Sequence, residues 1–129
     1  MNYFIENLTF NSTTYTVSNL RNGAFLSADG YKLIGSSGIY RLKNSKGGTY
    51  SDNSSSVWDV TAAKETDSGF DVLFEGSDGG RREGYNYIQS TNSSGVMTTG
   101  IGWLTDAQTT SNGYESIFNI DFNKNGIID

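Results

Sequence analysis

Cysteine, proline and histidine are all missing from this chain of 129 residues. Without cysteine there is no disulfide to staple the fold and no thiol nucleophile; without histidine the commonest general base and the commonest zinc ligand are gone. Only carboxylate chemistry is left for catalysis. Without proline, the turns fall to Gly, Asn, Asp and Ser. Long apolar runs are missing too: no stretch of about 18 apolar residues exists, and no apolar segment follows Met1, so neither a membrane span nor an N-terminal secretion signal is expected. Basic charge is scarce, with 9 Lys and Arg against 14 Asp and Glu and a net charge of −5. Arg81-Arg82 is the only adjacent cationic pair, so no basic stripe exists to hold a phosphate backbone, and nucleic acid is not an expected partner. A secreted domain of this size without disulfides points to a bacterial or phage source over an animal one. The Asn-x-Ser/Thr sequons at Asn7, Asn11, Asn53 and Asn92 then mean little.

What the chain does have is many short runs of β-branched and aromatic residues, separated every eight to twelve residues or so by Gly, Asn, Asp and Ser clusters. The runs are Tyr3 to Phe10, Thr13 to Val17, Ala24 to Ser27, Tyr31 to Ile34, Gly38 to Leu42, Val57 to Thr61, Phe70 to Phe74 and Tyr85 to Gln89. Between them lie turn signals such as Asn22-Gly23, Asp67-Ser68-Gly69 and Ser93-Ser94-Gly95, with Asp29-Gly30 the best candidate for a tight hairpin. The expected fold is all-β, an antiparallel sandwich or partly closed barrel of one domain, since this length buries about two-thirds of the unfolded surface around one core. Residues 1–12 read as an N-terminal arm or edge strand, 13–118 as the β domain with a short terminal helix, and 119–129 as a separate loop. Residues 44–56, rich in Ser, Gly and Asn, are the best candidate for a mobile loop.

The helix is expected over 112–118. Tyr114, Ile117 and Phe118 have the i, i+3, i+4 spacing of one helical face, and Asn112 and Glu115 have the spacing of a capping box. It runs directly into Asp121-Phe122-Asn123-Lys124-Asn125-Gly126-Ile127-Ile128-Asp129. That stretch follows the template D-x-[DN]-x-[DN]-G, in which alternate side chains turn oxygens inward and the glycine takes a sharp turn. Asp121, Asn123 and Asn125 would supply side-chain oxygens, Ile127 its carbonyl and Asp129 a ligand at position 9, so the implied ion is Ca2+. The bidentate carboxylate normally found at position 12 is missing from the sequence, and with two carboxylates and two amides the expected affinity is weak, roughly 0.1–1 mM.

From Val57 onward the order of features is Val57-Trp58-Asp59-Val60, Ala62-Ala63-Lys64-Glu65, Gly69-Phe70-Asp71-Val72-Leu73-Phe74-Glu75-Gly76, Tyr85-Asn86-Tyr87, Ser94-Gly95, Tyr114-Glu115-Ser116-Ile117-Phe118 and the loop at Asp121. This order resembles the tryptophan-rich C-terminal domain of cyanobacterial and other aquatic bacterial surface proteins, whose modules end in a D-L-N-G-D-G-type loop. The resemblance implies an extracellular, cell-surface module, tandem or appended to adhesin-like proteins, with no enzymatic role and with a neighbouring module or like subunit as partner. The chain departs from the pattern at Tyr87-Ile88, where such modules carry a second Trp, and at Asn125, where Asp is usual. The loop also resembles half of a dockerin repeat, but no second such segment is present.

Two further readings stay open. Trp103, with Tyr85 and Tyr87, could stack on sugar rings, making the chain a carbohydrate-binding module for a surface glycan. Tyr also simply suits half-buried strands, Trp58 reads as core or half-buried beside Val57 and Val60, and Trp103 stands between core and surface. The apolar run Tyr3-Phe4-Ile5 could instead add to a neighbour's sheet edge in a self-assembling secreted or phage-encoded protein. As for catalysis, Asp59, Glu65, Asp71, Glu75 and Glu83 show no spacing that singles out an acid/base pair, and an enzyme is not expected.

Overall fold

The computed structural model describes residues 5–10, 13–21, 23–27, 30–51, 54, 57–77 and 79–128. Those residues build two antiparallel sheets, each a simple meander in chain order. The first contains β1 (Ile5–Phe10), β2 (Thr13–Arg21), β3 (Ala24–Ser27), β4 (Gly30–Ile34) and β5 (Ile39–Arg41). The second contains β6 (Trp58–Thr66), β7 (Gly69–Gly76), β8 (Tyr85–Asn92) and β9 (Met97–Thr105). The sheets stack face to face and neither closes on itself, so of the two expected all-β architectures the sandwich is found and the barrel is not.

Strands β6, β7 and β8 of the second sheet carry buried side chains on both faces, and the sequence shows how. In β7, Phe70, Val72 and Phe74 alternate onto the face that meets the first sheet, where Ala24, Tyr31, Leu33 and Leu42 complete the larger core. Leu73 points the other way, into a second cluster with Ala62, Ile88, Phe118 and Phe122. In β6 the register shifts between Val60 and Ala62, so that Val60 and Ala63 face the first core while Ala62 faces the second. The residue in the shift, Thr61, is 1 % exposed, and its hydroxyl has no hydrogen-bond partner among the described residues. Glu65 binds the two sheets at the edge, its carboxylate accepting the Ser36 backbone N–H at 2.9 Å and the Ser36 hydroxyl at 3.3 Å.

Two short helices, α1 (Asp106–Ser111) and α2 (Tyr114–Phe118), lie on the outer face of the second sheet. The sequence led to one. The missed helix α1 is almost wholly polar and has no apolar period. It forms because Thr105 and Gln108 make a reciprocal capping box and because the buried Thr109 hydroxyl accepts from Asn86 Nδ2 at 2.9 Å. The capping box expected at Asn112 and Glu115 is not formed: Asn112 instead ends α1, donating from Nδ2 to the Gln108 carbonyl at 2.7 Å, and α2 starts at Gly113 with no side-chain cap. The expected apolar stripe is also narrower than its spacing implied, since Phe118 is buried and Tyr114 half-buried but Ile117 is exposed.

Strand β9 also escaped the sequence reading, because Gly100 and Gly102 interrupt its β-branched pattern. The hairpin expected at Asp29-Gly30 exists between β3 and β4, with Ser27 paired to Gly30; Asp29 lies outside the described residues, as do Tyr3 and Phe4 of the proposed assembling run. Within the low-complexity stretch, Thr49 bridges to Lys43 just before it, which also bridges to Val96, and Tyr50 packs against the first core. Among the described residues no helix is long and apolar enough to cross a membrane.

Candidate metal site

The loop after α2 is held at two points before any metal is considered. Asn119 closes the helix in the left-handed region, at φ 56° and ψ 48°, and turns the chain back toward the sheet. Three residues on, Phe122 inserts into the second core and is only 4 % exposed. The second point is Glu115, which is fully buried: its Oε2 accepts the Thr110 hydroxyl at 3.0 Å and the Asn123 backbone N–H at 3.1 Å. A buried carboxylate is costly unless hydrogen-bonded, so these donors stabilise it and in return fix the position of Asn123.

From there the loop folds around the side-chain oxygens of Asp121, Asn123 and Asn125. Asp121 Oδ1 accepts the Asn125 N–H at 3.2 Å, and Oδ2 accepts the Gly126 N–H at 2.8 Å. Asn123 Oδ1 accepts the same Asn125 N–H at 3.3 Å, so oxygens of Asp121 and Asn123 converge on one point. Asn125 Oδ1 accepts from Ile127 N at 3.1 Å. Lys124 and Gly126 take positive φ, 58° and 89°, which curls the backbone so that alternate residues share one side. The structure therefore brings Asp121, Asn123, Asn125 and Ile127 into one tight turn, with Gly126 making the sharp bend its position in the template requires. Asp129 lies outside the described residues. All these groups offer hard oxygen donors, which fit Ca2+ and not a soft metal.

Beside the loop is a cavity of about 400 Å³ to which Glu75, Glu83, Asp106, Asp121 and Lys124 contribute. Its carboxylates are spread and do not converge: among the described residues no three acidic side chains are grouped closely enough to hold a metal. Several have structural tasks. Glu83 accepts the Gly79 N–H at 3.1 Å, Asp106 Oδ1 accepts from Asn86 at 2.9 Å, and Asp71, on the same face, accepts the Ser90 hydroxyl at 2.9 Å. Asp59 and Glu75 are direct cross-strand partners on β6 and β7, side by side on one face.

The three aromatic candidates are divided between two places. Tyr85 and Trp103 form an edge-to-face pair with ring centroids 5.6 Å apart, and the Arg82 guanidinium carbon lies 3.6 Å above the Trp103 ring. Tyr87 turns toward Trp58 and Phe74, with centroids 5.9 and 6.4 Å away. Trp58 is half-buried against the first core, and Trp103 is 49 % exposed. The sequence reading missed Arg82 and Glu115. Nothing local marks Arg82, while Glu115 had a plausible local partner that the fold does not use. Comparison with protein-family models, with curated proteins and with solved structures finds no match to this chain.

Proposed function

We propose that this chain is a non-enzymatic extracellular module of a bacterial surface protein or assembly, in which Ca2+ bound at the C-terminal loop stiffens the junction to a neighbouring module or like subunit. One observation carries the reading: Asp121 and Asn123 oxygens are already drawn together on the Asn125 N–H, in a loop anchored by Phe122 and Glu115. Preorganisation of this kind lowers the ordering cost of binding. Asp121, Asn123, Asn125 and the Ile127 carbonyl would hold the ion, with water or a neighbour's oxygen completing the shell. The resemblance to tryptophan-rich surface domains agrees with this role.

The test is a calcium titration of the parent chain and of Asp121→Ala, following melting temperature and light scattering together. At a concentration roughly 10–100 times Kd, binding adds about 1.4–2.7 kcal/mol to stability. For a domain of this size that is a rise of roughly 5–10 °C, confined to the parent. An equal rise in Asp121→Ala, or none in either, rejects the site. Added scattering with calcium supports assembly.

A second reading, binding of a surface glycan, is favoured by the exposed Trp103 beside Tyr85. A glycan array screened in calcium decides it, and binding no greater than background counts against it.

A further inference from the structure

The turn between β7 and β8 carries the adjacent cations Arg81 and Arg82, and its hydrogen bonds hold them in place. Gly80 N–H donates to the Ser77 carbonyl at 2.9 Å, Glu83 N–H to the Gly80 carbonyl at 3.2 Å and Tyr85 N–H to the Arg82 carbonyl at 3.0 Å. The Glu83 carboxylate accepts the Gly79 N–H at 3.1 Å and closes the turn on itself. Gly76 lets the turn fold back on the end of β7, because a Cβ there would collide with the Arg82 carbonyl. From this base the Arg82 side chain reaches over Trp103 of β9, its guanidinium carbon 3.6 Å from the ring centre.

Acids outnumber bases in this chain, 14 to 9, yet no carboxylate pairs with Arg81 or Arg82 among the described residues. Two acids flank the region, and both are engaged elsewhere: Glu83 within the turn, and Asp106 with Asn86 Nδ2 at 2.9 Å. From Gly84 to Thr105 there is no charged residue, so β8 and β9 bring nothing to neutralise the arginines. A guanidinium stacked on an indole uses a face and keeps its N–H edge, a fork that fits a carboxylate or sulfate with two parallel hydrogen bonds. An anion held there sits beside Trp103, and whatever carries it meets aromatic surface. Trp103 is 49 % exposed, and Tyr85 stands half-buried next to it. Nothing lies within 4 Å of where a Cβ would be at Gly84 or Gly102, so the immediate neighbours of the two rings leave the approach open.

These features select a ligand with two parts. A small aliphatic anion would leave the rings unused, and a neutral sugar would leave the guanidinium unused. A run of phosphates needs a stripe of cations that the chain lacks. The net charge of −5 opposes an anion from a distance, but at physiological salt charges beyond about 8 Å are largely screened, and contact with the guanidinium decides.

We propose that Arg82, Trp103 and Tyr85 form a subsite for an acidic sugar, whose pyranose lies against the aromatic pair while its carboxylate or sulfate is held by the Arg82 guanidinium, with Arg81 adding to the local positive field. The proposal rests on the glycan reading of this patch and narrows it to anionic glycans.

The experiment is a heteronuclear NMR titration of the intact chain with methyl glucuronide, methyl glucoside, a glucose sulfate and acetate, read at the Trp103 indole N–H. EDTA is present, so that no calcium bridges protein and sugar. The glucuronide is expected to bind about three- to tenfold more tightly than the glucoside, as suits a charge-assisted contact at a partly exposed site. Acetate, which has the charge without the ring, should bind more weakly than the glucuronide. The ratio of glucuronide to glucose sulfate identifies which anion the natural sugar carries. In Arg82→Gln the preference for glucuronide over glucoside should shrink below about twofold, while Arg82→Lys, which keeps the charge without the fork, should retain part of it. Melting curves of both variants confirm that they fold. Equal affinity for glucuronide and glucoside overturns the acidic preference and leaves the glycan reading standing. A preference that survives Arg82→Gln, acetate binding as tightly as the glucuronide, or no binding of either acidic sugar also overturns the proposal, and in the last case the glycan array decides the broader reading by itself.

Discussion

Tyr114 shows how a single residue in α2 reports on its surroundings. Its phenol pKa is raised above the ordinary value of 10.0, first by desolvation on burial and second by the nearby Asp71 carboxylate. A group whose pKa is higher folded than unfolded stabilises the protein below the unfolded value, and that stability is lost as pH rises through the folded value. Above about pH 10 the unfolded chain has released the proton that the folded one keeps, so stability falls with pH. Tyr114→Phe should therefore show a shallower decline in melting temperature above pH 10 than the parent, and parallel curves would disprove the effect. At Gly126 the backbone φ of 89° penalises any side chain, although nothing lies within 4 Å of where a Cβ would be. Gly126→Ala should cost about 1–2 kcal/mol from backbone conformation alone, read as a lower denaturant midpoint with unchanged slope. The loop was legible from sequence because it is built from contacts two to five residues apart. Glu115 was not, since Asn123 meets its carboxylate only after the helix and the loop have both formed.

Elements, in contrast, were legible in proportion to their apolar periodicity. β7 and β8 were found because no glycine interrupts their β-branched and aromatic runs, whereas β9 was hidden by its glycines and α1 by its polarity. Neither α1 nor α2 is long enough to be stable alone. They persist because Glu115, Thr110 and Asn123 connect α1, α2 and the loop, while Phe118 and Phe122 pack beneath them. Glu115→Ala orphans two donors and should cost about 1–3 kcal/mol for each that stays buried. Glu115→Gln, which keeps an acceptor oxygen, should cost less, and the order of the two midpoints in a denaturation series checks the claim. The reverse order would mean that the carboxylate's charge, not its hydrogen bonds, holds the three pieces together.

For the whole molecule the decisive fact is that one sheet serves two cores. β6 and β7 place side chains in both clusters, so neither cluster can dissolve while the other keeps its shape. Phe118→Ala, although at the outer layer, should lower the stability of the entire domain by about 3–5 kcal/mol. Unfolding of the parent followed by far-ultraviolet dichroism, which sees the strands, and by tryptophan fluorescence should give one coincident transition. Two separated midpoints would show that the layers come apart independently. In β6 the sequence could not reveal this sharing, because there it depends on a register shift that composition does not encode.

That shift has its own consequence. The two-faced rhythm of β6 runs Val60, Ala62, Ala63, with Thr61 as the one beat it does not count. Deleting Thr61 would close the ladder into regular pairing, send every other side chain of the strand to the layer it already faces, and remove a hydroxyl buried without a partner. Deleting Ala63 instead would transpose one end of the strand, turning Lys64 toward the apolar interior. The chain should thus tolerate losing a residue at one place in its central layer and fail at the next but one.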